Sequence, residues 1–141
     1  MVSLFSNVLR AHDRLYKATD GRVGHRLLGV PTLLLRTTGR RSGVTRTNSL
    51  VYARDGADYL VVASRGGSDQ PPAWQLNLEA RPEVEIQVGR ERQKARSRVA
   101  GPSDPDYLRL WKIVNENNSD RYTAYQEETS RPIPVVVITP V

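Results

Sequence analysis

Apolar positions follow two rhythms along this chain, and the change from one to the other predicts its elements. Near the start Leu4, Val8 and Leu15 share a helical stripe with Phe5, Leu9 and Tyr16 beside it, while Arg10, Asp13, Arg14 and Lys17 face elsewhere. The spacing predicts an amphipathic helix over residues 3–18, packed on the domain or lying on a membrane surface. TDGRVGHRLLG reads as a linker by its glycines and polar residues. From there strand patterns take over. VPTLLLRTT is one β-compatible run and TNSLVYAR a second, and the basic stretch RTTGRRSGVTRTN between them becomes a strand-to-strand loop. Asp55 and Gly56 mark a tight hairpin turn into a third strand, ADYLVVAS.

RGGSDQPP breaks the pattern. AWQLNLEA then predicts a short helix, with Pro72 suited to its first turn and Pro82 forcing its end. EVEIQVG alternates as a strand, and RERQKARSRVA, although very polar, alternates as a paired, half-exposed one after Gly89. Tyr107, Leu108, Trp111 and Val114 are spaced as a helix, with Ser103 or Asp104 as cap, Pro105 near the first turn and Trp111 on the core stripe. NENNSD interrupts it, a short helix spans Tyr122 and Tyr125, and IPVVVITPV closes the chain as a strand rich in branched residues. The expectation is a mainly β, α+β barrel of five or six mostly antiparallel strands with peripheral helices. Residues 1–26 form its helix and linker and residues 27–141 the barrel, within one domain.

The 141 residues suffice for one substantial core. Twenty-one Lys+Arg against 15 Asp+Glu give a net charge of +6, which favours anionic ligands: nucleic acid, a phosphorylated or carboxylated cofactor, or an acidic membrane. Cysteine is absent, so thiolate metal sites and cysteine nucleophiles are excluded, and a reducing, cytoplasmic location is expected. The start is too polar for a secretory signal, and no apolar run reaches the length of a membrane span; peripheral membrane contact through the first helix is left open.

Acid–base machinery is missing. The only histidines, His12 and His25, lie in the first helix and its linker, so neither a Ser-His-Asp triad nor a zinc site can be assembled convincingly. Ser42, between Arg41 and Gly43, has no general base beside it and suits hydrogen bonding to an anion. Gly39 and Gly43 lack the spacing of a nucleotide-binding phosphate loop, although loop amides and arginines bind phosphate without it.

The segments LLLRTTGRRSGVTRTNSLVY, YLVVASRGG, PPAWQLNLEARPEVEI and RPIPVVVI, in this order, resemble the deazaflavin-dependent nitroreductase family. These are split β-barrel reductases of actinobacterial type that use coenzyme F-420. The resemblance runs from Leu27 to the end of the chain. It implies that Arg41, Ser42 and Arg46 face the phosphodiester and oligoglutamate tail of the coenzyme. Thr47, Asn48, Leu50, Ala63 and Ser64 would line the ring. Arg65, Gly66 and Gly67 would bring backbone close to it, and Pro72, Trp74 and Asn77 would complete the wall. The implied reaction moves a hydride from the reduced deazaflavin to a quinone or other conjugated electrophile. Ser64 would hydrogen-bond the developing anion, and Tyr122 and Tyr125 would serve as aromatic walls and proton donors.

This chain departs from the family's commonest pattern at four positions. Arg41 and Arg65 stand where lysine is frequent, Gln75 where tyrosine is frequent, and Ser119 where nitroreducing members carry a further tyrosine. The last change directs the expectation to quinones rather than nitroimidazoles. Three alternatives stay open: a coenzyme carrier without turnover, flavin mononucleotide as cofactor, and a basic barrel binding nucleic acid. Against the last, aromatics are 6% and none interleaves with the basic loop. The expected partner is a small molecule rather than nucleic acid, with the protein a monomer or homodimer.

Overall fold

The computed structural model describes residues 26, 27 and 30–141. The expected helix over residues 3–18, the linker, both histidines and the boundary at residue 26 lie largely or wholly outside the described residues. Strand β1 is the pair Arg26–Leu27 and β2 runs Val30–Thr38. After the basic loop come β3 (Thr45–Val51), β4 (Ala53–Asp55) and β5 (Asp58–Val62), followed by a single helical turn at Arg65–Gly67. Helix α1 (Ala73–Ala80) leads to β6 (Glu83–Val88) and β7 (Glu91–Ala100). Helices α2 (Tyr107–Asn117) and α3 (Arg121–Glu127) precede β8 (Val135–Pro140).

The pairings β2–β3, β4–β5, β5–β8, β8–β7, β7–β6 and β6–β2 are all antiparallel. With β3 and β4 taken as one strand broken at Tyr52, six strands follow one another around a barrel. The two-residue β1, which pairs with β2, is an addition the sequence reading did not contain. The hairpin is where Asp-Gly placed it: Asp55 pairs with Asp58 around Gly56 and Ala57. Gly56 has φ 60°, the left-handed conformation that the first position of such a turn requires.

Two apolar clusters sit on opposite faces of the sheet. Leu33, Leu35, Tyr59, Val61, Ala63, Ile86, Val136 and Ile138 fill one with Trp74 and Leu78 of α1. Leu60, Val62, Val135 and Val137 join the other with Tyr107, Leu110, Val114 and Tyr122 of the helices. Strands β5 and β8 are therefore buried on both faces, which explains why YLVV and VVVI are unbroken apolar runs. In β7 the opposite holds: Arg92, Lys94, Arg96 and Arg98 are exposed and alternate with Gln93, Ala95, Ser97 and Val99. Arg96 pairs with Glu83 at 2.8 Å across the ladder, so the polar strand is edge-on charged yet fully paired.

Helix α2 differs from expectation at both ends. It starts after Asp106 rather than after Ser103 or Asp104, because Asp104 is used in the preceding turn: its carboxylate accepts the Asp106 N–H at 2.9 Å and pairs with Arg98. It continues through Asn115, Glu116 and Asn117, so the break is narrower than NENNSD. Ser119 and Asp120, at φ 55° and 59°, turn the chain into α3. Trp111 is half-buried, packed against the second cluster with its ring stacked on Tyr107 at 5.7 Å.

Candidate functional site

A cleft of about 1320 Å³ opens between β3, the loop before it, the start of α1, the turn after β5 and helix α3. Its outer end belongs to the basic loop. Gly39 N–H donates to Val44 C=O and Gly43 N–H to Gly39 C=O, both at 2.8 Å, and the Ser42 hydroxyl accepts the Val44 N–H at 3.1 Å. That folds the loop so that Arg40, Arg41, Ser42 and Arg46 all line the cleft. The four arginines of the basic stretch RTTGRRSGVTRTN divide by task. Arg36 is committed to the barrel wall, donating to Gln87 Oε1 at 2.8 Å and Glu85 Oε1 at 3.4 Å. The backbone N–H and guanidinium of Arg40 both donate to Asn77 Oδ1, at 3.1 and 2.9 Å. Arg41 and Arg46 stand exposed at the mouth.

Asn77 is 4% exposed and also donates to Thr37 Oγ1 at 3.4 Å. It lines the cleft, and its amide pins the loop to α1 and β2. Thr47, Asn48 and Leu50 line the strand side of the cleft, with Pro72 and Trp74 at the helix start opposite.

At the inner end Ser64, Arg65, Gly66, Tyr122 and Tyr125 come together. Strand alternation decides who faces the cleft. Val62 and Ser64 share one face of β5 and its continuation, while Ala63 falls on the other and is fully buried in the barrel cluster. Ala63 therefore does not line the cleft as expected. Gly67 does not either; a Cβ there would lie 2.9 Å from the carbonyl oxygen of Tyr125 and from Glu128 Cβ, so its role is close packing of the turn against α3. The sequence reading missed Arg40, Asn118 and Arg121. Arg121 precedes Tyr125 by four residues on α3, and that spacing was the available signal; Asn118 lies before the left-handed turn at Ser119 and Asp120 and left none.

The two tyrosines meet edge-on with ring centroids 6.3 Å apart. Tyr122 is 6% exposed, and burial pushes its phenol up to about 12, against opposing pulls from Asn118 and the Arg121 charge. Tyr125 is half-buried; burial raises it too, and Arg121 again opposes. Both are thus neutral hydroxyl donors at pH 7. Among the described residues no group of His, Cys, Asp and Glu could hold a metal ion, and no helix is long and apolar enough to cross a membrane.

The chain resembles known proteins over nearly its whole length. It is 57% identical over 133 residues to the F420H(2)-dependent quinone reductase Rv1261c of Mycobacterium tuberculosis, covering 94% of this chain and 89% of that one. A solved F420-H2 dependent reductase, FDR-A, superposes with a TM-score of 0.67 at 32% identity, covering 77% of this chain and 93% of the other. Another solved chain, described as a domain-swapped dimer, gives a TM-score of 0.70 at 28% identity over 94% of this chain and 98% of its own. The family model for F420H(2)-dependent quinone reductase matches residues 8–140, and the chain belongs to that family.

Proposed function

We propose that this protein passes a hydride from reduced coenzyme F-420 to a quinone. The observation that carries the reading is the gradient along the cleft: exposed arginines at the mouth, then a strand and helix wall, then an end lined by the buried Tyr122 and half-buried Tyr125. A cofactor with an acidic tail, a phosphodiester and a flat ring needs that sequence of environments. The fit is good on size and charge, since the cleft exceeds the usual small-ligand range and its charged lining side chains are arginines.

Each end has its own work. Arg41 and Arg46 offer guanidinium forks to phosphate and carboxylates, where charge-assisted bidentate bonds give grip. Ser42 uses one lone pair within the loop and keeps its hydroxyl hydrogen for an anion. Asn77 acts through Arg40 by fixing the loop. Leu50, Trp74 and Pro72 provide apolar surface for the ring, and Thr47 and Asn48 provide hydrogen bonds along its edge. Near Gly66 a Cβ would meet nothing within 4 Å, so the backbone of the turn is open to close approach.

When bound, the reduced deazaflavin supplies the hydride from its C5 carbon, and a quinone that takes it with one proton leaves as the hydroquinone. The chain's contribution is orientation, exclusion of water and a hydrogen bond to the oxygen that gains charge. Ser64, which lines the inner end of the cleft, is the group assigned to that bond. Tyr122 and Tyr125 wall the acceptor side, and their raised phenols keep the proton that such a bond needs. This accounts for the missing dyad or triad.

Purified protein, reduced F-420 and 2-methyl-1,4-naphthoquinone, followed by the return of oxidised deazaflavin absorbance, test the reading. Saturable, protein-dependent oxidation is expected. Its absence across several quinones overturns the enzyme; tight coenzyme binding without turnover identifies a carrier instead.

A further inference from the structure

The turn at the inner end of the cleft holds one residue, Arg65, in a conformation that a side-chain-bearing residue does not favour. Arg65, Gly66 and Gly67 have φ values of 45°, 63° and 88°, three consecutive residues in the left-handed region, one of them not glycine. Within the turn, Gly67 N–H donates to Ser64 C=O at 2.9 Å and Ser68 N–H to Arg65 C=O at 3.2 Å. A far larger support arrives from Arg131, in the RPIPVVVI segment that no functional role has yet absorbed.

Every nitrogen of the Arg131 guanidinium is used on the turn's carbonyls. Nε donates to Ser68 O at 3.1 Å, Nη2 to Ser68 O at 3.0 Å and to Ser64 O at 3.1 Å, and Nη1 to Ala63 O at 3.2 Å. A planar fork can satisfy three carbonyls at once; an ammonium on a lysine stem cannot. Arg131 is itself tied to helix α3. Its carbonyl accepts from Gln126 Nε2 at 2.8 Å, the Gln126 Oε1 accepts the Ile133 N–H at 2.8 Å, and its own N–H donates to Thr129 Oγ1 at 3.1 Å. Thr129 in turn donates to Asp69 at 2.6 Å, just beyond the turn. Burial holds the Arg131 guanidinium below its ordinary range, with Asp69 opposing and Arg65 adding to the depression, as expected for a cation committed to carbonyls inside the fold.

We propose that Arg131 is a positioning residue of the cleft: by bonding the carbonyls of Ala63, Ser64 and Ser68 it holds Ser64 and Arg65 toward the coenzyme and locks their turn to the helix that carries Tyr122 and Tyr125. The strain at Arg65 and the register of α3 are thereby settled by one side chain that does not itself line the cleft. The coenzyme half of this inference rests on the function proposed above, so its test has two independent readouts.

Wild type, Arg131→Gln and Arg131→Lys are compared as full-length chains. Hydrogen–deuterium exchange is read on peptides covering residues 63–69 and 121–128, and affinity by titration with oxidised F-420. The amides of Gly67 and Ser68 are expected to exchange at least about tenfold faster in both variants while β7 keeps its protection. Coenzyme affinity is expected to fall by about tenfold or more in Arg131→Gln and by less in Arg131→Lys, which keeps the charge but loses the fork. Unchanged exchange at Gly67 and Ser68 overturns the lock, whatever the coenzyme does. Faster exchange with wild-type affinity overturns the positioning role. Should wild type itself fail to bind F-420, the functional reading fails while the exchange readout still decides the lock. Should Arg131→Gln not fold, Arg131→Lys carries both readouts.

Discussion

At the mouth of the cleft Arg41 and Arg46 stand exposed on a loop closed by short backbone bonds, whereas at the inner end Ser64 and Tyr122 are 8% and 6% exposed and their turn is strapped by Arg131. The two ends use different physics. Exposed guanidinium groups attract an anion over distance, adapt to it and are screened by salt. A cross-tied turn whose Ser64 and Gly67 are buried adapts little, so it fixes geometry and tolerates little change. Within that turn Gly67 leaves no room for a Cβ at its contact with α3, whereas Arg41 and Arg46 are exposed.

The sharpest way to break the comparison is at that contact. Gly67→Ala puts a methyl group 2.9 Å from the Tyr125 carbonyl oxygen at φ +88°. It should cost about 2–4 kcal/mol, lowering the thermal midpoint by roughly 5–15 °C. A loss under about 1 kcal/mol would mean that turn and helix separate freely.

Tyr122 gives the next largest effect. Its folded value of about 12 lies above the ordinary 10, so its contribution is intact below pH 10 and is lost as pH rises toward 12. The loss should approach about 2–3 kcal/mol across that window. Urea denaturation at pH 9 and 11 should show wild type weakening more than Tyr122→Phe; parallel curves would contradict the burial of the phenol. Asn77→Ala comes third. It leaves the Arg40 N–H and guanidinium without their shared acceptor and should cost about 1–2 kcal/mol, with coenzyme affinity falling a few-fold. Chemical denaturation together with F-420 titration checks both.

Most of the barrel was legible in sequence because its signals are local. The doubly buried runs of β5 and β8, the Asp-Gly hairpin and the alternation of β7 each carry their own pattern. The inner site was only partly legible. Ala63 and Ser64 are adjacent and both belong to the family motif, yet they point to opposite faces, a distinction that follows from strand alternation once Val61 is placed in the barrel. Gly67 suggested approach to a ligand, but what approaches is the Tyr125 carbonyl, a contact between segments nearly sixty residues apart. Asn77 was assigned to the wall without its link to Arg40, because hydrogen bonds between distant segments leave no spacing to read. Asp104 looked like a helix cap; competition from the preceding turn and Arg98 moved the helix start two residues on.

Arg46→Ala and Tyr125→Phe test the division of labour directly, each through the coenzyme dissociation constant and the single-turnover rate of reduced F-420 oxidation by a naphthoquinone. Arg46→Ala should weaken binding by about tenfold, less at high salt, and leave the bound rate within about twofold. Tyr125→Phe should leave binding nearly unchanged and slow the bound rate by about tenfold or more. If both substitutions change the same quantity, or if Arg46→Ala binds the coenzyme as well as wild type, the assignment of grip to the mouth and chemistry to the inner end is contradicted.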